Sequence, residues 1–196
     1  MRRRLVLGGV LGGVVLFVWG MISYMLLPWH AATLEQFKDE QAVAQVLAAN
    51  AAGSGVYLLP NPHRHDPALT AEQRKAAAED GVARMMQGPF MFAAVSLHGA
   101  RDMGAALLMN LLVNMVSAGL VLWLLMQTGG LSYRRRVGFV VMVALAAAMI
   151  VHGPYWIWWG FSTPFTLVEF ADPLIGWFLV GLVLARLAPA PTSVRS

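Results

Sequence analysis

The sequence predicts an α-helical membrane protein with four transmembrane helices, both termini in the cytoplasm, and a small external α/β cap between the first two helices. Three observations predict it: the apolar composition, four long apolar stretches, and the placement of the basic residues. Of 196 residues, 58% are hydrophobic and only 12% are charged, which is too apolar for an ordinary soluble domain. The chain has no cysteine, which excludes disulfides and thiolate metal sites.

Four stretches approach or exceed the roughly 20 apolar residues that a helix needs to cross a bilayer. They are residues 5–27, 103–127, 137–159 and 164–187. The chain therefore divides into a first transmembrane helix (1–27), an external segment (28–102), a region of three transmembrane helices (103–188) and an Ala/Pro-rich tail (189–196) expected to be disordered.

The basic residues indicate which side of the membrane each connection faces. Eight of them, with no acidic residue, flank the apolar stretches at Arg2, Arg3, Arg4, Arg134, Arg135, Arg136, Arg186 and Arg195. The segment 28–102 instead carries six basic and eight acidic residues. Because Lys and Arg are enriched in cytoplasmic loops, this pattern predicts cytoplasmic termini and an external segment 28–102. The same pattern favours a topology signal over nucleic-acid binding.

The first apolar stretch could also be a secretory signal peptide, since three arginines precede it. Its apolar part is longer than the usual ~7–15 residues, and His30 stands where a cleavage site needs a small residue. We therefore interpret it as a retained helix.

The external segment reads as helix, strand, helix, strand. Thr33 and Gln36 have capping-box spacing, which predicts a first helix that Gly53 ends. The run "GVYLLP" predicts a strand, and Thr70 with Gln73 predicts a second capped helix that stops before "GP". The run "PFMFAAVSL" is either a second strand or an interfacial helix leading into the second span. Two short strands are not stable alone, so we expect this cap to dock on the membrane helices.

Small and polar residues inside the spans predict helix packing. Gly8, Gly9, Gly12 and Gly13 form two overlapping G-x-x-x-G pairs, which allow another helix backbone to approach closely. Asn110 and Asn114 lie four residues apart, hence on one helix face, and interhelical hydrogen bonds are the favoured explanation for them. Aromatic residues near the helix ends are typical interface anchors, namely Trp29, Trp156, Trp158 and Trp159.

Histidines and carboxylates recur at the outer ends of the spans. If helices three and four turn at Gly160–Thr163, the 1.5 Å rise per residue places His152 opposite residues 170–172. We therefore predict one candidate polar cluster at the outer interface, formed by His30, His98, His152, Glu169 and Asp172. Such a set suits a proton relay, or zinc, iron or manganese, although no local spacing matches a metal motif.

The start of the fourth helix has two interpretations. Asp172 and Pro173 lie either inside a helix that begins near Pro164, or at the first turn of a shorter helix with Asp172 as its cap. We favour the longer, kinked helix. Elsewhere, His63 and His65 are interpreted as part of a solvated loop, and no G-x-S-x-G, phosphate-binding glycine loop or haem-attachment motif occurs.

The stretches "FVWGMISYMLLPWH", "FKDEQAV" and "GVYLLP", within residues 17–60, resemble a group of uncharacterised bacterial multi-pass inner-membrane proteins. The resemblance covers about a quarter of the chain. It implies a bacterial inner membrane and a periplasmic cap, and it supplies no activity, cofactor or catalytic residue.

Two principal functions follow as hypotheses. The lack of a catalytic motif and the glycine-rich helix face favour a non-enzymatic accessory or scaffold subunit, with the lipid bilayer and a second membrane protein or another copy as partners. The alternative is a membrane-embedded enzyme, transporter or ligand-binding protein that uses the polar cluster. A third hypothesis is a lipid or quinone binder with Trp156, Trp158 and Trp159 lining a slot.

Overall fold

A computed structural model of the chain describes residues 1–62 and 68–188. His63, His65 and the tail 189–196 lie outside the described residues. In chain order the elements are α1 (Arg2–Met25), a 3-10 turn (Ala31–Thr33), α2 (Glu40–Asn50), β1 (Gly55–Leu59), α3 (Ala71–Gln87), β2 (Met91–Val95), α4 (Met103–Gln127), α5 (Tyr133–Trp159) and α6 (Thr163–Leu187). Helices α1, α4, α5 and α6 are long and apolar enough to span a membrane, which confirms the four predicted spans.

The chain forms two compact units. The first, called the helical unit here, contains Met1–Glu35 and residues from Arg101 onward. The second is Gln36–Ala100, which we call the external unit only after the location predicted for it from the sequence. The boundary differs from the predicted one, since residues 28–35, including His30, belong to the helical unit.

Helix α1 packs on α4 and α6 in the helical unit, and α5 packs on α6. The pairings are antiparallel, because Gly8 lies against Leu122 of α4 and Leu184 of α6, while Gly12 lies against Ala118 and Val180. The buried hydrophobic core is concentrated at this end of the bundle, in the second halves of α4 and α6 and the first half of α5. The four glycines thus allow close helix packing, as predicted, and the helices that they contact belong to the same chain.

Arg136 binds the last carbonyl groups of α6 at the same end of the bundle. Its side chain is 8% exposed, and one guanidinium nitrogen donates hydrogen bonds of 3.2 Å to the carbonyl of Ala185 and 2.9 Å to that of Ala188. The last carbonyls of a helix have no partner within the helix and carry partial negative charge, so a cation there satisfies both needs.

Helix α6 starts at Thr163 and runs through Pro173 without a break in helical structure. Its cap is Ser162, whose hydroxyl oxygen accepts from the backbone N–H of Phe165, and Pro164 occupies the first turn. The favoured longer helix is therefore confirmed, and a cap at Asp172 is wrong. Gly160 ends α5 in the left-handed conformation, at φ 74°, which allows the tight connection to α6.

The external unit contains the predicted order of elements, with one correction. β1 and β2 pair antiparallel with Gly55 opposite Val95, so "PFMFAAVSL" is a strand and not an interfacial helix. Both hydrogen bonds of the predicted capping box at Thr70 and Gln73 are present.

The predicted cap at Thr33 is wrong. The carboxylate of Asp39 caps α2 by accepting from the N–H of Ala42, and the Thr33 hydroxyl donates instead to the carbonyl of His30. The Thr33 side chain therefore stabilises the 3-10 turn, and α2 begins a turn and a half later.

A substitution at Gly13 tests whether α1 and α4 approach each other closely. A Cβ at this position would lie 2.5 Å from Met115 Cγ and 2.6 Å from Met115 Cα, so Gly13→Val must separate the two helices. We expect a loss of about 1–3 kcal/mol in the free energy of unfolding, measured by denaturant titration in detergent with circular dichroism. Gly20→Val is the matched control, because a Cβ at Gly20 meets no atom within 4 Å. Equal stability of the two variants would contradict the packing described here.

Candidate functional site

Side chains from three parts of the helical unit converge near the ends of α1, α5 and α6 that lie opposite the buried core. After α1 ends, the chain turns through residues 26–30, so that the His30 ring stacks on Tyr24 at 3.8 Å between centroids and 11° between planes. This return places His30 beside two carboxylates of α6. We call the group formed by His30, His152, Glu169 and Asp172 the His–carboxylate cluster.

Glu169 lies between the two histidines. Its Oε1 is 3.5 Å from His30 Nδ1, and its Oε2 is 4.0 Å from His152 Nδ1. Both distances exceed the usual 2.7–3.2 Å of an N–H···O hydrogen bond, so Glu169 lies beside the two histidines without a close hydrogen bond to either. The predicted opposition of His152 and α6 is confirmed to within about one residue, since its ring also lies 6.0 Å from that of Phe170.

Asp172 has a fixed partner on α1. The indole N–H of Trp19 donates to Asp172 Oδ1 at 2.8 Å and also approaches the Asp172 carbonyl at 3.1 Å. Gly176 leaves room for the indole, because a Cβ there would lie 2.8 Å from Trp19 Cδ1. The second carboxylate oxygen of Asp172 is 4.0 Å from His30 Nε2.

Ser23 orients His30 from the inside of the bundle. Its side chain is fully buried, and its hydroxyl oxygen accepts from the indole N–H of Trp29 at 3.0 Å. The same hydroxyl is 3.1 Å from His30 Nε2, so its own hydrogen is available to that nitrogen. In the neutral ring this arrangement favours the tautomer with hydrogen on Nδ1, facing Glu169.

The cluster is largely shielded. The four side chains are between 11% and 25% exposed, with His30 the most shielded and His152 the least. At 1.5 Å per residue, His152 and Glu169 lie about 10 Å along their helices from the connection between α5 and α6. Ionisable groups in so protected a place are expensive unless partnered, which makes them candidates for function.

Four of the five predicted residues lie together within the helical unit. His98 belongs to the external unit, whereas His30, His152, Glu169 and Asp172 belong to the helical unit. Among residues 1–62 and 68–188, no group of three or more His, Asp or Glu is arranged to hold one metal ion. Glu169 lies beside Nδ1 of His30 and Asp172 lies beside Nε2, so the two carboxylates face different nitrogens of the ring.

Other predicted residues have different surroundings from those expected. Asn110 is exposed and Asn114 half-buried, and neither side chain makes a hydrogen bond within the described part of the chain, so the expected interhelical bonds are not found. Trp29 contacts Ser23 and the Trp19 ring rather than acting only as an anchor. Trp156 and Trp158 are exposed on α5, as anchors are, and Trp159 is half-buried.

Sequence reasoning missed Trp19, Ser23 and Tyr24. Trp19 and Ser23 are four residues apart on α1, hence on one face, and both are hydrogen-bond donors within an apolar helix. Two hydrogen-bonding side chains four residues apart in an apolar helix are the sequence feature that could have identified Trp19 and Ser23. Asn110 and Asn114 share this feature.

The contribution of the Trp19 hydrogen bond to the free energy of unfolding can be measured. Trp19→Phe keeps an aromatic ring at the α1–α6 contact and removes the donor to Asp172, so we expect a loss of about 1.5–3 kcal/mol in the free energy of unfolding. Trp158→Phe is the control, since that side chain is 73% exposed. Denaturant titration monitored by circular dichroism compares the two, and an equal small effect would contradict a structural role for the bond.

No family model, curated protein or solved structure matches the chain. The resemblance within residues 17–60 therefore depends on the quoted residues alone. The function has to be argued from the geometry of the His–carboxylate cluster.

Proposed function

We propose that the chain is a multi-pass inner-membrane protein, with both termini in the cytoplasm, whose His–carboxylate cluster takes up and releases protons from the outer side. The observation that carries the proposal is the position of His30, with Nδ1 toward Glu169 and Nε2 toward Ser23 and Asp172. Each ring nitrogen thus faces an oxygen atom of a side chain that can accept a hydrogen bond.

The orientation is supported by where the arginines lie. The antiparallel packing brings the start of α1, the start of α5 and the end of α6 to one end of the helical unit. All the arginine blocks within the described residues are at these positions, and cytoplasmic ends are enriched in basic residues. The His–carboxylate cluster is then on the outer side.

The depth of the cluster follows from helix length. Helices α5 and α6 are about 37–40 Å long, so a hydrocarbon core of about 30 Å leaves about 5 Å projecting at each end. His152 and Glu169, about 10 Å from their helix ends, then lie about 5 Å below the edge of the hydrocarbon. Protons reach this level from one side, since the opposite half of the bundle is filled by buried apolar side chains such as Leu122, Val140 and Leu184.

This geometry favours reversible protonation over conduction across the membrane. The linked groups run from His152 through Glu169 to His30 and Asp172, all within the outer half of the bundle. Histidine and carboxylate side chains are the usual proton donors and acceptors of proteins, so the cluster responds to the pH of the outer compartment or exchanges a proton with a bound ligand.

A pH titration of tryptophan fluorescence tests the proposal. Trp19 contacts Asp172, and Trp29 reaches His30 through Ser23, so protonation should change the emission of the protein in nanodiscs. We expect the emission to change with pH. In Glu169→Gln this change should be smaller, because the carboxylate that lies beside both histidines has been removed.

Glu35→Gln is the matched control, because Glu35 is an exposed carboxylate of the same unit. Its titration should superimpose on that of the unmodified protein. A fluorescence that does not change with pH, or a Glu169→Gln curve identical to that of the unmodified protein, would overturn the proposal. Circular dichroism establishes that each variant is folded.

The second candidate function, an accessory or scaffold subunit of a membrane assembly, now depends on the external unit. The glycines that first favoured it contact α4 and α6 of the same chain. In residues 36–62 and 68–100, however, no hydrophobic side chain is fully buried, and Phe37 and Met86 are 63% and 86% exposed. A unit with so little core of its own is stabilised by burial against a partner.

Native mass spectrometry after extraction in a mild detergent tests this candidate. We expect a homo-oligomer or a complex of fixed stoichiometry, and we expect Phe37→Ser to weaken it because an exposed aromatic side chain is lost. Gln36→Ser is the control next to it in the chain. A strictly monomeric protein, or a complex equally stable in both variants, would argue against the accessory function.

A further inference from the structure

An apolar groove lies beside the His–carboxylate cluster, between the second half of α5 and the first half of α6. It has a volume of about 350 Å³. Met149, Trp156 and Phe170 contribute apolar and aromatic walls. Gly153 lies on the groove, where a Cβ would meet no atom within 4 Å, so the space continues up to the α5 backbone.

His152 directly precedes the lining residue Gly153 in the chain, although its own side chain does not line the groove. It is three residues from Met149 and four from Trp156, which places it on the same face of α5. Its ring lies 6.0 Å from that of Phe170, and its Nδ1 is turned toward Glu169. Within the described residues, Nε2 of His152 has no hydrogen-bond partner. An apolar slot thus has an imidazole with one available nitrogen on the neighbouring residue.

The charge around this nitrogen selects among ligands of the membrane. Glu169 and Asp172 make the neighbourhood negative, so the phosphate of a phospholipid would be repelled. At about 5 Å below the hydrocarbon edge, a charged head group also loses its hydration. An uncharged ring with oxygen substituents avoids both costs, and Trp156 and Phe170 offer faces or edges for it to pack against.

The imidazole suits both redox forms of such a ring. A quinone carbonyl accepts a hydrogen bond from protonated His152, whereas a quinol hydroxyl donates one to the neutral ring. The hydrocarbon chain of the ligand extends along the apolar helix surface toward the bilayer, where it contacts lipid. No electron transfer is required for this binding.

We infer that the groove is a binding site for a lipid-soluble quinone or quinol, with its ring beside Gly153 and an oxygen hydrogen-bonded to His152. The inference deepens the proposed function, on which it rests for the proton that His152 gives or accepts. It identifies the ligand class that the His–carboxylate cluster would serve.

Decylubiquinone is the probe, added to the protein in phosphatidylcholine nanodiscs while quenching of tryptophan fluorescence is recorded. We expect saturable quenching. Gly153→Leu should weaken the affinity about tenfold or more, because the new side chain fills the slot. Gly138→Leu is the matched control on the same helix, since a Cβ there also meets no atom within 4 Å and Gly138 is exposed outside the groove.

Two further measurements test the ring and the histidine. Decanol has the same chain length without the ring and should not displace the quinone, and His152→Phe should weaken binding several-fold while leaving the groove walls intact. Quenching that never saturates, equal affinity in Gly153→Leu and Gly138→Leu, equal displacement by decanol, or no effect of His152→Phe would each overturn the inference.

The two proposals fail separately. Gly153→Leu should retain the pH transition measured without quinone, because it leaves Glu169 and both histidines unchanged. A flat pH titration together with saturable, Gly153-dependent quinone binding would contradict only the proton-exchange function. A normal titration without quinone binding would contradict only the ligand.

Discussion

The hydrogen bond from Trp19 to Asp172 is the interaction on which the polar end of the helical unit depends. It is the short polar contact between α1 and α6, at 2.8 Å, and Gly176 gives the indole room to make it. Once α1 is held there, its end is close enough to α6 for the following turn to return His30 to Glu169. A carboxylate inside an apolar bundle would otherwise lack a strong donor, and such a group is costly.

The two ends of the bundle are stabilised by different physical means. At the basic end, glycines allow α1 to approach α4 and α6 until side chains such as Leu122 and Leu184 are fully buried. This packing relies on dispersion, since lipid gives no hydrophobic reason for helices to associate. At the other end, hydrogen bonds from Trp19 to Asp172 and from Trp29 to Ser23 replace tight packing and leave room for ionisable groups.

The sequence predicted most of the fold because hydropathy and helix rise are strong constraints. The four spans follow from length and composition, and the opposition of His152 and α6 follows from 1.5 Å per residue across a short turn. Trp19 was not predicted, since a tryptophan near a helix end usually anchors at the lipid interface. Thr33 and Asp39 are both good caps, and only the turn at His30, a tertiary feature, decides between them.

The distances within the His–carboxylate cluster argue for chemistry rather than for stability. Trp19 already fixes Asp172, so the fold does not need the histidines to satisfy that carboxylate. His30 and His152 lie 3.5 and 4.0 Å from Glu169, too far for the strong hydrogen bonds that would offset the cost of removing charge from water. Apolar residues of similar size would stabilise the bundle as well or better. The proposed proton exchange and the proposed quinone site both use this property, since they need ionisable groups that are held near each other without a close hydrogen bond, and His152 is the residue that the two proposals share.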